Sequence, residues 1–182
     1  MSLVLAAPVY GASPLETARD DVNKVIAVLR DKALGKEVKE RKLEALYGSM
    51  FDEVELSKRS LGGGWNKLNP SQQQEFVQLF RQILEKAYID KILSYTNEKI
   101  DFTSERNIAE NQAEVQTKVI TSSKQIPINY RMIMKDNTWK VYDVVIENVS
   151  LVQNYRSQFS SILAKNTPDQ LLEILRKKVK QK

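Results

Sequence analysis

The sequence predicts an α+β protein, a four-stranded antiparallel meander sheet packed against several helices. Two changes of period predict it. Apolar residues recur at helical spacing from Ser13 to about Ser94, alternate at every second position from Ile100 to Glu147, and return to helical spacing from Ser150 onward. Only 5 Pro and 6 Gly interrupt the chain, and no repeat or low-complexity tract appears, so no linker between domains is indicated.

The elements follow in order. Ser13 is a helix cap with Pro14 at the first helical position and Glu16 as its partner, and Val22, Val25, Ile26 and Leu29 form one apolar stripe. This helix is expected to end near Leu34-Gly35. A second runs from about Lys36 to Met50, and Asp52 caps a shorter third one. Gly62, Gly63 and Gly64 mark a chain reversal, and no GxxxxGK[ST] spacing follows them, so they are not a phosphate loop. Asn69, Pro70 and Gln72 open the longest helix, which reaches about Ser94 with a wide stripe through Phe76, Phe80, Leu84 and Tyr88.

Four strands come next. Ile100 and Phe102 alternate with polar residues, as do Ala113, Val115, Thr117 and Val119, then Ile126, Ile128, Tyr130, Met132 and Met134. Asp136-Asn137 makes a tight turn. Trp139 to Glu147 is apolar on both faces, with Val141 and Val145 expected on one and Tyr142, Val144 and Ile146 on the other. Helices from Ser150 to Leu163 and after the Thr167-Pro168-Asp169 cap close the chain.

At 182 residues, 42% hydrophobic and 28% charged, the chain has the size and balance of one domain that buries roughly 70% of its unfolded surface. It contains neither cysteine nor histidine, which removes disulfides, thiol nucleophiles, ordinary zinc and copper sites, and Ser-His or Cys-His catalysis. No apolar run reaches the roughly 20 residues that span a bilayer. The net charge of +5 is concentrated: Lys165 to Lys182 holds six basic residues against two acidic ones, or +4, leaving a nearly neutral body and a basic end. Nucleic-acid binding is therefore not predicted. The lysines of that end complement the dipole of the last helix.

The start, Leu3 to Ala7 followed by Pro8-Val9-Tyr10-Gly11-Ala12, reads like the tail of a secretory leader. Residues 1–12 are accordingly set apart as a residual signal peptide or an expression-derived tail, and 13–182 as a single domain.

Without His or Cys, catalysis would fall to carboxylates, Lys or Tyr. Asp143 is the candidate, in an otherwise apolar strand, with Tyr130 or Tyr142 as donors to an oxyanion in an isomerase or dehydratase-like reaction. The structural reading of the same residue is an outward-facing cross-strand partner of Lys140 or Arg131. Asp52, Glu53 and Glu55 cluster without metal-ligand spacing and read as helix-start acids. Tyr130, Met132 and Met134 on the sheet face the stripe of the long helix, and periodicity does not distinguish a solid core there from an enclosed cavity.

Two motifs carry a resemblance. Leu61-Gly62-Gly63-Gly64-Trp65, then Asn69-Pro70-Ser71-Gln72 and Glu75-Phe76 with Phe80, Leu84 and Tyr88, resembles the LGxxW, (S/T)PxQ, EF…F…L…Y signature of the MlaC family. Trp139 to Val152, followed by Tyr155-Arg156, resembles that family's WxxYDxxxEGVSLxxxYR run, with Asn148 where the family often has Gly. These are periplasmic phospholipid-binding, or toluene-tolerance, proteins of Gram-negative bacteria. The resemblance implies an apolar cavity between sheet and helices that encloses a phospholipid's acyl chains. It also implies a non-enzymatic, monomeric carrier between an outer-membrane lipoprotein complex and an inner-membrane ABC transporter complex, serving lipid asymmetry and solvent tolerance, with no cofactor besides the cargo. Trp65, Phe76, Phe80, Leu84, Tyr88, Tyr142 and Val144 fall on motif positions and are expected to stabilise or line the cavity. The strand pattern adds Tyr130, Met132 and Met134.

Overall fold

Helix starts are where local chemistry acts most directly. In the computed structural model, which describes residues 11–95 and 98–181, α1 (Pro14–Arg30) opens on a capping box: Ser13 Oγ accepts the Glu16 N–H, and the Glu16 carboxylate accepts the Ser13 N–H. The leader-like residues 1–10 lie outside the described residues. α1 stops at Arg30, short of the expected end near Leu34-Gly35. The Asp31 carboxylate accepts the Ala33 N–H at 2.9 Å, a local turn that competes with the next helical bond.

α2 (Lys36–Met50) and α3 (Glu53–Leu61, capped by Asp52) follow. The glycine cluster is not an open loop. Gly62 leaves α3 at φ +57°, a conformation that favours glycine, and residues Gly62–Lys67 wind as a 3-10 helix. A Cβ on Gly64 would lie 2.4 Å from Leu163 Cδ1, so a side chain here would collide with the neighbouring helix. α4 (Pro70–Ser94) opens on a second capping box, Asn69 with Gln72.

The sheet has five antiparallel strands in the order β1-β2-β3-β4-β5: β1 (Lys99–Ala109), β2 (Gln112–Ile120), β3 (Gln125–Lys135), β4 (Thr138–Ile146) and β5 (Val149–Ser150). Four strands were expected. The fifth is a two-residue strand formed because the chain folds back tightly after β4, with Glu147 at φ 49° and Asn148 at φ 67°. Both are left-handed, as a two-residue primed turn requires, and Asn tolerates that region well enough to stand where the family often has Gly. Asp136-Asn137 makes the same kind of turn between β3 and β4. Helices α5 (Leu151–Leu163) and α6 (Pro168–Lys180) complete the chain.

One register shift re-aims β4. Arg131 pairs with Asp143 while Met132 pairs with Val141, so Tyr142 is an extra residue in a bulge. A bulge reverses the alternation beyond it. Val141 and Val144 therefore share the face of Met132 and Tyr130, and Asp143 and Val145 lie on the other, which corrects the expected grouping of Val141 with Val145.

Two clusters of buried residues result. The larger joins α3, α5 and α6 to the first half of α4 around Phe76, Phe80, Tyr155 and Phe159. Phe80 meets Tyr155 at 4.8 Å and Phe159 at 5.2 Å between ring centres, both edge-to-face. The smaller holds α1 to the sheet through Ala18, Val115, Met132 and Val141.

Candidate functional site

Beyond these clusters the elements do not close on one another. A cavity of about 620 Å³ lies between the sheet, α1, α2 and the second half of α4. Its walls follow from the periods read in the sequence. Val22, Val25, Ile26 and Leu29 recur at helical spacing on α1, Leu84, Tyr88 and Ile92 stand at successive turns of α4, and Ile126, Ile128 and Tyr130 alternate along β3. The bulge in β4 turns Val144 and Ile146 toward the same space.

The wall is mainly apolar, although Arg30, Glu44, Glu85, Lys91, Glu98, Lys124 and Glu147 are among the residues that line it, and its tyrosine hydroxyls are held un-ionised near neutral pH. Burial pushes the Tyr130 hydroxyl up to about 12, against a lowering hydrogen bond with Thr117. Burial also raises Tyr88, and raises Tyr47 together with the nearby Glu53 and Glu85 carboxylates. Tyr47 stacks on Phe51 at 4.4 Å, and the Arg81 guanidinium lies 5.6 Å from its ring while pairing with Glu53 and Glu85. Apart from Glu44 on α2, the exposed wall residues gather at one end, where the close of α1 (Arg30), the last turns of α4 (Lys91), the β2–β3 turn (Ser122, Ser123, Lys124) and the end of β4 (Glu147) meet. That end is the mouth.

The structure brings four of the ten residues singled out in the sequence to this wall: Leu84, Tyr88, Tyr130 and Val144. The other six lie elsewhere. Phe76 and Phe80 are fully buried in the aromatic cluster, and Trp65 packs against it, its ring 6.5 Å from that of Phe76. Met132 is fully buried between Ala18, Val115 and Val141, and Met134 sits further along the strand, where its N–H donates to the Asn111 carbonyl. Tyr142 occupies the bulge, donating to Gln112 Oε1 at 3.0 Å beneath the Arg59 guanidinium, 4.0 Å from its ring. These six stand away from the chamber, on the first half of α4, beside it, or toward the far end of the sheet. The walls from α1 and α2, such as Ile26 and Tyr47, were missed as site residues; the α1 stripe was visible, but nothing local tells a lining stripe from a packed one.

Asp143 does not face outward. It is 1% exposed and accepts from Ser150 Oγ at 2.6 Å, the Val152 N–H at 3.0 Å and Arg131 Nη1 at 3.2 Å. The cross-strand partnership with Arg131 holds, but the carboxylate also clamps the start of α5 to the sheet. It lies on the face away from the cavity, so the isomerase-like reading loses its residue. Beside it, Arg131 and Arg106 share the buried Glu114. Asp52 accepts the Glu55 N–H and pairs with Lys135 at 3.0 Å, Glu53 pairs with Arg81 and Glu55 with Arg59. Among the described residues no group of three or more acids could hold a metal ion, and no helix is long and apolar enough to cross a membrane.

An antiparallel sheet, a helical layer and a mainly apolar chamber between them define an α+β protein built around a cavity. The chain belongs to the MlaC family, whose model, described as MlaC protein, matches residues 19–177. It is similar to the intermembrane phospholipid transport system binding protein MlaC of Haemophilus influenzae, 26% identical over 126 residues that cover 66% of this chain and 59% of that relative. It is also similar to toluene tolerance protein ttg2D of Pseudomonas putida, 25% identical over 129 residues, 70% of this chain and 60% of that relative. The matches thus span about three fifths of the curated relatives' length. Among solved structures, the phospholipid-binding protein from Ralstonia solanacearum, in complex with a phospholipid, superposes with a TM-score of 0.84 over 92% of this chain and 97% of that one, at 22% identity. That likeness establishes the fold.

Proposed function

We propose that this protein is a periplasmic phospholipid carrier that encloses acyl chains in the cavity and shuttles lipid between the outer and inner membranes. The observation that carries this reading is the mainly apolar cavity of about 620 Å³ between sheet and helices. Family membership and the phospholipid complex of the Ralstonia neighbour support it.

The physical requirement is simple. Each methylene exposed to water costs about 0.8 kcal/mol, so an acyl chain travels through solvent only inside an apolar enclosure. The head group stays at the mouth, where the exposed residues are. No catalytic residue is needed, and the single domain of residues 13–182 works as a monomer whose only bound group is its cargo. Tight enclosure makes dissociation slow, so loading and release require partners that favour an open state, here an outer-membrane lipoprotein complex and an inner-membrane ABC transporter complex.

The test is native mass spectrometry of protein purified from bacteria, followed by organic extraction. Co-purified phospholipid is expected, and a lipid-free protein that also takes up none from vesicles overturns the proposal. Val144→Trp, which fills the cavity from the sheet side, is expected to lose the lipid while keeping its helical and sheet content by circular dichroism; full lipid content would mean the cargo lies elsewhere.

A further inference from the structure

α6 runs beside α4 in the same direction. Gln72 donates to Asp169 at 2.6 Å, Arg176 forks onto Glu75 at 2.6 and 2.9 Å, and Lys86 donates to the Val179 carbonyl. The basic end of α6 is thereby set against the second half of α4. Lys86 is five residues, about 7.5 Å of helix axis, from Lys91 on the cavity mouth.

The helix dipole does not account for this much charge. It amounts to about half an elementary charge at the C-terminus, and the Lys86 ammonium already meets a terminal carbonyl there. The carboxylates along α6 and the facing turns of α4 are engaged: Glu173 with Lys177, Glu75 with Arg176, Glu85 with Arg81 and Asp90 with Lys36. Lys178, Lys180 and Lys91 have no ion-pair partner among the described residues. The result is a surplus of positive charge at the end of α6, while the mouth itself carries Glu98 and Glu147 beside Arg30, Lys91 and Lys124, and the rest of the chain is nearly neutral.

We infer that the C-terminal end of α6, with Lys86 and Lys91 of α4 beside it, forms a docking face for an anionic lipid surface, which holds the cavity mouth close to the membrane. Charge complementarity selects the partner: a lysine near an anionic bilayer strengthens binding about fivefold, and the effect fades beyond a Debye length. This inference does not depend on what the cavity holds.

The experiment is sedimentation of the full chain with vesicles of phosphatidylcholine, with and without phosphatidylglycerol. Binding is expected only with phosphatidylglycerol, and is lost in 1 M salt. Lys178→Gln with Lys180→Gln should weaken it about 25-fold, whereas Lys118→Gln, on the outer face of the sheet, should change it less than twofold. Absence of binding to anionic vesicles, equal binding to both, or an unchanged affinity of the double variant each overturns the proposal. Lipid content of the same samples by mass spectrometry tests the cargo reading separately: an empty cavity with intact vesicle binding sinks that reading and leaves the docking face standing.

Discussion

The two halves of α4 take similar side chains into different surroundings. Phe76, Leu79, Phe80 and Ile83 are all buried where α3, α5 and α6 pack around the helix, and their rings interlock edge to face with those of Tyr155 and Phe159. Tyr88, Ile89 and Ile92, one to three turns on, are only half-buried and face the cavity, because the neighbours there are α1, α2 and the sheet, which arch over the helix without filling the space. The difference is in what stands opposite, not in the helix itself. One helix thus anchors the fold at its start and walls the chamber toward its end.

Substitutions should separate the two regions. Phe80→Ala opens a void in close-packed aromatics and is expected to cost about 3–5 kcal/mol in denaturant titration; a loss below about 1 kcal/mol would erase the distinction. Gly64→Ala presses a Cβ toward Leu163 in the same solid region. The overpacking should cost up to about 3 kcal/mol, which Leu163→Ala in the same chain should partly restore.

The sheet wall is stiffened from behind by Glu114, and Glu114→Gln should cost about 2 kcal/mol by removing the charge that Arg106 and Arg131 share. Burial pushes this carboxyl up, but the hydrogen bonds from Arg106 and Arg131 outweigh it and hold it below the usual range. Its contribution is therefore present above the ordinary glutamate value, about 4.3, and is lost as pH falls through the lower folded value. Stability measured across this acid range should fall less steeply in the variant than in the parent. The smallest effect is expected on the cavity side: Ile92→Ala enlarges an existing space and should cost about 1 kcal/mol or less. A loss as large as that of Phe80→Ala would mean that the chamber is packed like the cluster.

Features that depend on a few consecutive residues were legible in the sequence. The capping of α1 and α4 needs only Ser13 with Glu16 and Asn69 with Gln72, and both boxes stand where the spacing placed them. Strand alternation likewise placed Ile126, Ile128 and Tyr130 on one face. The bulge at Tyr142 was not legible, since β4 is apolar on both faces and an extra residue leaves no break in its pattern. Asp143 was misplaced for the same reason: its strand neighbours do not reveal that α5 returns to cover it through Ser150 and Val152.

By itself the sequence determined the α+β class, the helix starts, the absence of thiol and imidazole chemistry and the motif resemblance, because each rests on residue type or short-range spacing. Only the tertiary structure decided which apolar stripes pack solid and which stand around a space. That depends on how far apart elements distant in the chain are held, and periodicity records the direction a side chain points but not what it meets.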